Sequence, residues 1–145
     1  MSDLRAALAV AYAATRYCVD TPAGRFALRA GQPLPPAFAA WLRAQGTPCW
    51  AVLTACNPGS QRLPDALNAA ANRALADAAA QAGCPVFPAC NVAERGDWPD
   101  EPGFLLLAAE AGVLRALGRR FAQAALLGGQ GDDPPDLVWL DPPAE

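Results

Sequence analysis

The chain has 145 residues, the length of one domain, and carries a formal net charge of −3 from 11 basic and 14 acidic residues. Every basic residue is arginine and histidine is absent. Lysine Schiff bases, phosphate-loop lysines, Ser-His or Cys-His bases and imidazole metal ligation are therefore closed to this chain alone.

Residues 3–14 read as a helix with Ser2 as N-cap and Leu4, Leu8 and Ala11 on one side. This stretch is mostly alanine, with Asp3 where a secretory leader needs positive charge, so a cytoplasmic protein is expected. Residues 16–19 begin a strand, Thr21-Pro22-Ala23-Gly24 has turn chemistry, and 25–29 alternates polar with apolar. A hairpin follows, with Tyr17, Val19, Phe26 and Leu28 on one buried side. Pro36 opens a helix whose stripe is Phe38, Trp41 and Leu42, and Gly46 stops it. The apolar run 49–55 suggests an interior strand covered on both faces. A polar loop, 56–63, leads to the longest helical pattern, 65–82, with Leu67, Ala71, Ala74, Leu75 and Ala78 turned inward. Residues 86–92 form a strand that Pro88 marks as an edge or a bulge. An acidic Trp/Pro loop covers 94–103, a strand 104–109, and a helix 110–121 with Val113, Leu114, Leu117 and Phe121 inward. At its end Arg119-Arg120 complement the helix dipole. Two last strands, 124–127 and 137–140, flank a hairpin turn containing Gly128-Gly129-Gln130-Gly131-Asp132-Asp133, and the tail 141–145 frays.

Strand–helix–strand alternation in the middle and hairpins at both ends predict one α/β (α+β) domain over 1–145. Its sheet is expected to be mixed, parallel and antiparallel, with helices packed on it. Five cysteines without a C-x-x-C pair fit neither a disulfide framework nor a zinc site, and are expected to be free thiols in a reducing cytoplasm. The acidic balance speaks against nucleic acid, and no apolar run approaches a membrane span, so neither is an expected partner.

The loop 54–61 lies between the end of an apolar strand and a helix start, where parallel sheets bind ligands. Asn57, Ser60, Gln61, Asn68 and Asn72 offer uncharged hydrogen-bonding groups there. The same side chains can equally tie the loop down, and both readings stay open. Cys56, in the same loop, lacks any histidine to activate it and reads as a structural thiol. Glu94, Asp97, Asp100 and Glu101 surround Trp98. Their spacing matches no calcium loop, which leaves a solvated acidic loop with a tryptophan lid. Where the Asn57 loop meets Glu101, amides, hydroxyls and one carboxylate suit a neutral or partly cationic ligand better than a polyphosphate, Arg62 being the nearest arginine in sequence.

The run Leu53-Thr54-Ala55-Cys56-Asn57-Pro58 with Ser60 and Asn68, then Trp98-Pro99 with Glu101, then Arg120-Phe121 with Gln123 and Ala125, resembles a family of small bacterial proteins, the domain of unknown function 3293. The resemblance runs from the Tyr17 hairpin to the last strand and implies no activity, substrate or cofactor. It implies that Asn57, Ser60, Asn68, Trp98, Glu101 and Gln123 belong together. Pro64 departs from the pattern where the family has a helix-capping serine, and Gly103 where a small polar residue is common.

The expectation is thus a small-ligand-binding domain using Asn57, Ser60, Asn68, Trp98, Glu101 and Gln123, without cofactor or metal. The alternative is an interaction protein that binds a partner, or a second copy as a homo-oligomer, through apolar surface with Trp50 and Trp139 as anchors. Whether the chain is an enzyme stays open, since only carboxylate, thiol, hydroxyl and arginine chemistry remains.

Overall fold

The computed structural model describes residues 2–140, with side chains from Arg5 onward. The tail 141–145 and the side chains of Ser2 and Leu4 lie outside the described residues. Along the chain run α1 (Ser2–Ala13), β1 (Thr15–Thr21), β2 (Gly24–Leu28), α2 (Pro36–Gln45), β3 (Cys49–Leu53), a short 3-10 turn (Pro58–Ser60), α3 (Asp65–Gln81), β4 (Val86–Ala93), β5 (Glu101–Ala108), α4 (Ala111–Arg120), β6 (Ala125–Gln130) and β7 (Asp136–Trp139). Local chemistry sets many of these limits. Pro22 and Ala23 form the two-residue turn of the first hairpin, whose register places Tyr17 opposite Leu28 and Val19 opposite Phe26. Pro36 opens α2, and Gly46 closes it in the left-handed conformation (φ 75°), returning its N–H to the Arg43 carbonyl.

Among the described residues the strands form one seven-stranded sheet in the order β2-β1-β4-β5-β3-β6-β7. Every neighbouring pair is antiparallel, so the expected mixed sheet is corrected to an all-antiparallel one. The two helical crossovers do exist, but neither joins adjacent strands. β3 and β4 run the same way with β5 inserted between them, and β5 and β6 run the same way with β3 between them. The segment β3-α3-β4-β5-α4-β6 is therefore a pair of interlocked split β-α-β units, the ferredoxin-like arrangement. The first hairpin extends it at β4, and β7 extends it at β6.

Both faces of the sheet are covered, as the continuous apolar run of β3 requires. Cys49, Ala51 and Leu53 face α3 and α4 with Leu75, Ala79, Leu106, Leu114 and Leu117. Trp50 and Val52 face the other way, with Tyr17, Val19, Phe38, Leu42, Leu105 and Leu107 under α2.

Four further expectations are corrected. β4 is an interior strand despite Pro88. Glu94 N–H donates to the Ala14 carbonyl (3.0 Å), so even-numbered residues of β4 turn their polar backbone toward β1. Pro88, without an N–H, stands just past the last β1–β4 pair, Val19 with Ala89. The acidic loop is shorter than expected, because Glu101, Pro102 and Gly103 already belong to β5. Gly128 and Gly129 lie in β6 rather than in a turn: the Trp50 ring rests on Gly129, where a Cβ would come within 2.0 Å of Cε2. On α3, Leu67 is 56% exposed and Ala74 is exposed, while Asn68, Asn72, Leu75, Ala78 and Ala79 are buried. Asn68 and Asn72 take inner positions in place of Leu67 and Ala74, while Ala71, Leu75 and Ala78 pack against the core as expected.

Candidate functional site

Beyond Leu53 the chain leaves the β3 ladder, and side chains replace the missing strand partners. The Thr54 hydroxyl donates to the Pro102 carbonyl (2.6 Å) and accepts from Cys56 N–H (3.0 Å). Asn72 reaches out of α3 to accept from Ala55 N–H (2.9 Å) and donate to the Pro102 carbonyl (2.8 Å). One turn earlier, Asn68 accepts from Asn57 N–H and donates to Asn57 Oδ1, both at 2.9 Å. Asn57 Oδ1 also accepts from Leu63 N–H (2.8 Å). From the end of α4, Gln123 Nε2 donates to the Cys56 carbonyl (3.0 Å). Asn57, Asn68, Asn72 and Gln123 are all buried, and these bonds satisfy their polar groups.

Everything Asn57 holds inward leaves one group pointing elsewhere: its Nδ2 donates to Glu101 Oε2 at 2.7 Å. Trp98 Nε1 donates to the same oxygen at 2.9 Å. Two fixed N–H groups thus orient the Glu101 carboxylate at the start of β5. Among the described residues no hydrogen bond reaches its Oε1.

Backbone conformation is unusual at the same place. The described non-glycine residues with positive φ are Asn57 (49°), Ser60 (63°) and Ala122 (57°). Gly59, also positive at 67°, donates its N–H to the Ala122 carbonyl (2.8 Å), tying the loop to the residue before Gln123. Side chains disfavour this region of conformational space, and such residues persist where the surroundings over-determine them.

The loop and Glu101 form one wall of a cavity of about 320 Å³. Ser60 and Gln123 line it beside Asn57, with Cys56 behind them; Thr15 and Asn91 come from β1 and β4; Arg95, Asp97 and Trp98 form its rim. The apolar side is α1, through Ala7, Leu8, Val10 and Ala11, with Tyr12 at its end. Thr15 fixes that end by donating its hydroxyl to the Ala11 carbonyl (2.8 Å).

Of the six residues singled out from sequence, Asn57, Ser60, Trp98, Glu101 and Gln123 meet at this cavity. Asn68 stands behind Asn57 and holds it. Sequence reasoning missed Arg95, Asn91, Tyr12 and the whole of α1. Asn91 had a legible signal, a polar residue in a strand, but its nearness to Glu101 follows from the β4–β5 register, in which the two are partners. Alanine-rich α1 carries no periodic signal that points at a site. Arg62 is exposed and lines no wall of the cavity, so the arginine at the site is Arg95.

Glu94 is paired with Arg29, which holds its carboxyl below the ordinary range. Among the described residues no group of three or more His, Cys, Asp or Glu is arranged to hold a metal ion. Burial pushes the Cys56 thiol up, with Glu101 adding to the shift against hydrogen bonds from Thr54 and Asn72, so it is not an activated nucleophile. Burial also pushes the Tyr17 phenol up, with Tyr12 and Glu101 contributing. All five cysteines are free. Trp50 is 1% exposed and hydrogen-bonded to the Gly131 carbonyl, so it is core and not an anchor for a partner. Trp139 packs against Tyr12, with the Arg5 guanidinium 4.5 Å above its ring. No described helix is long and apolar enough to cross a membrane.

A family model described as a protein of unknown function (DUF3293) matches residues 53–126, just over half of the chain. The matched span runs from the last residue of β3 into β6 and contains Asn57, Ser60, Asn68, Trp98, Glu101 and Gln123, whereas α1 lies outside it. No curated protein and no solved structure matches the chain.

Proposed function

The chain belongs to the DUF3293 family of proteins of unknown function, and on that footing we propose that it is a small-ligand-binding domain whose site is the cavity between the Asn57 loop, Glu101 and α1. The observation that carries this reading is the Glu101 carboxylate, oriented by Asn57 and Trp98 on the wall of a 320 Å³ cavity. Small-molecule sites are concave, mostly apolar, and fixed in specificity by a few convergent polar groups. The α1 wall supplies the apolar part, and Glu101, Ser60, Asn91 and Gln123 supply the polar groups. The left-handed residues under the loop fit the same reading, since backbone strain collects at ligand sites. The free thiols suit a reducing compartment such as the cytoplasm.

The test is a thermal-shift screen of metabolites on the native chain, on Glu101→Gln and on Ala11→Phe, which fills the cavity from the α1 side. A ligand that binds the native state raises its melting temperature. Hits are expected to stabilise the native chain and to lose most of that effect in both variants. Hits that stabilise all three equally bind elsewhere and contradict the proposal.

A further inference from the structure

The chemistry left over in the cavity narrows the ligand, and this step rests on the binding reading above. Among the described residues the Glu101 carboxylate has no cationic partner, although other carboxylates are paired: Arg29 takes Glu94, Arg25 takes Asp20 and Arg43 takes Asp132. The lining holds two carboxylates, Asp97 and Glu101, against one guanidinium, Arg95, which leaves one negative charge in excess. Arg95 and Asp97 are exposed at the rim, whereas Glu101 is partly buried.

The open hydrogen-bonding ends point the same way. Oε2 of Glu101 is occupied by two donors, and Oε1 accepts nothing among the described residues. Gln123 commits its Nε2 to the Cys56 and Phe121 carbonyls, so the group it has to offer is its carbonyl oxygen. Ser60 and Asn91 can donate or accept, but the Glu101 and Gln123 oxygens can only accept, so a ligand that satisfies those two must bring donors. Next to them, Trp98 and Tyr12 supply aromatic rings, which attract cations. Ala7, Leu8, Val10 and Ala11 face the ligand with hydrocarbon alone.

We infer that the cavity takes an organic ammonium ion with an aliphatic body, the ammonium group on Glu101 Oε1 and the chain along α1. A primary ammonium carries three donors and one positive charge, which matches the spare acceptors and cancels the excess charge. An anionic ligand of the same shape meets an unpaired carboxylate and is excluded.

The probes are n-hexylammonium, 1-hexanol and hexanoate, titrated separately into ¹⁵N-labelled protein at constant ionic strength. Hexylammonium is expected to shift the amide signals of the cavity residues and to bind at least tenfold more tightly than hexanol, with no binding of hexanoate. In Glu101→Gln that preference of hexylammonium over hexanol falls to less than threefold. The three-probe comparison on the native chain decides the matter even where the variant is unstable. Equal affinity for hexylammonium and hexanol, or tighter binding of hexanoate, overturns the ammonium assignment and leaves the cavity as a site for another class. If none of the three binds while a hit from the metabolite screen shifts cavity residues, the assignment again fails and the binding reading survives. If neither the probes nor any screened compound reaches the cavity, both fall.

Discussion

Asn57 joins the loop, α3 and the Glu101 carboxylate through one side chain. Its backbone is left-handed, its Oδ1 takes two hydrogen bonds, and its Nδ2 sets the Glu101 carboxylate. A left-handed residue with a short amide is a combination that asparagine adopts readily and alanine does not. Asn57→Gly keeps the backbone and deletes the side-chain bonds. It is expected to cost about 1–3 kcal/mol, the size of lost buried hydrogen bonds. Asn57→Ala adds the left-handed penalty and is expected to cost roughly 1 kcal/mol more. Urea denaturation measures both, and an alanine variant as stable as the native chain contradicts the role given to Asn57. This residue was legible in the sequence, because Asn-Pro-Gly-Ser after an apolar strand is turn chemistry whatever the topology. Asn91 showed only as a polar residue in a strand, because its place at the site depends on which strands are neighbours, and that is a long-range fact.

At the scale of elements, the interior nature of β3, the first hairpin and the limits of α2 and α4 followed from local pattern. The sheet's all-antiparallel character did not. Strand–helix–strand alternation is the same string of residues whether the second strand lies beside the first or one place away. Only the return of β5 into the gap decides between them. The first turns of the inner face of α3 were misplaced for a related reason. Leucine at 67 looks like core and asparagine at 68 and 72 does not, until the missing ladder partners of Thr54–Asn57 give those amides buried work. Close approach at Gly103 sets the geometry where β3 ends: a Cβ there lies 2.6 Å from the Leu53 carbonyl oxygen, a backbone atom. Gly103→Ala is expected to destabilise by about 1–3 kcal/mol, as overpacking does. Gly112→Ala on α4, where a Cβ meets nothing, is expected to stabilise by roughly 0.5 kcal/mol through helix propensity. The two denaturation midpoints should move in opposite directions, and a shared sign contradicts the packing described here.

Over the whole molecule, the absence of histidine and the burial of several acids shape the dependence of stability on pH. No side chain with an ordinary ionisation between pH 5 and 8 is present. Burial raises the Cys56, Cys84 and Cys90 thiols and the Tyr17 phenol above their ordinary values. A group whose ionisation is harder in the folded state contributes nothing against folding while protonated in both states. Once the unfolded chain begins to lose that proton, above about pH 8.5 for a thiol, the folded state is penalised. Under reducing conditions the urea midpoint is expected to be flat from pH 6 to 8 and to fall progressively above about pH 9. A midpoint that rises through that alkaline range contradicts the burial of these groups.

The proposed ligand enters between the Asn57 loop, Glu101 and α1, and the tryptophan indoles report on it directly. The chain has four tryptophans. The Trp98 N–H is bonded to the carboxylate that the ligand must meet, while that of Trp50 is bonded to the Gly131 carbonyl in the core. Titrating the strongest hit from the metabolite screen into ¹⁵N-labelled protein should shift the Trp98 indole signal saturably and leave those of Trp50 and Trp41 in place. A saturating ligand that leaves Trp98 unmoved and shifts Trp41 or Trp50 instead would place the site elsewhere and contradict the account.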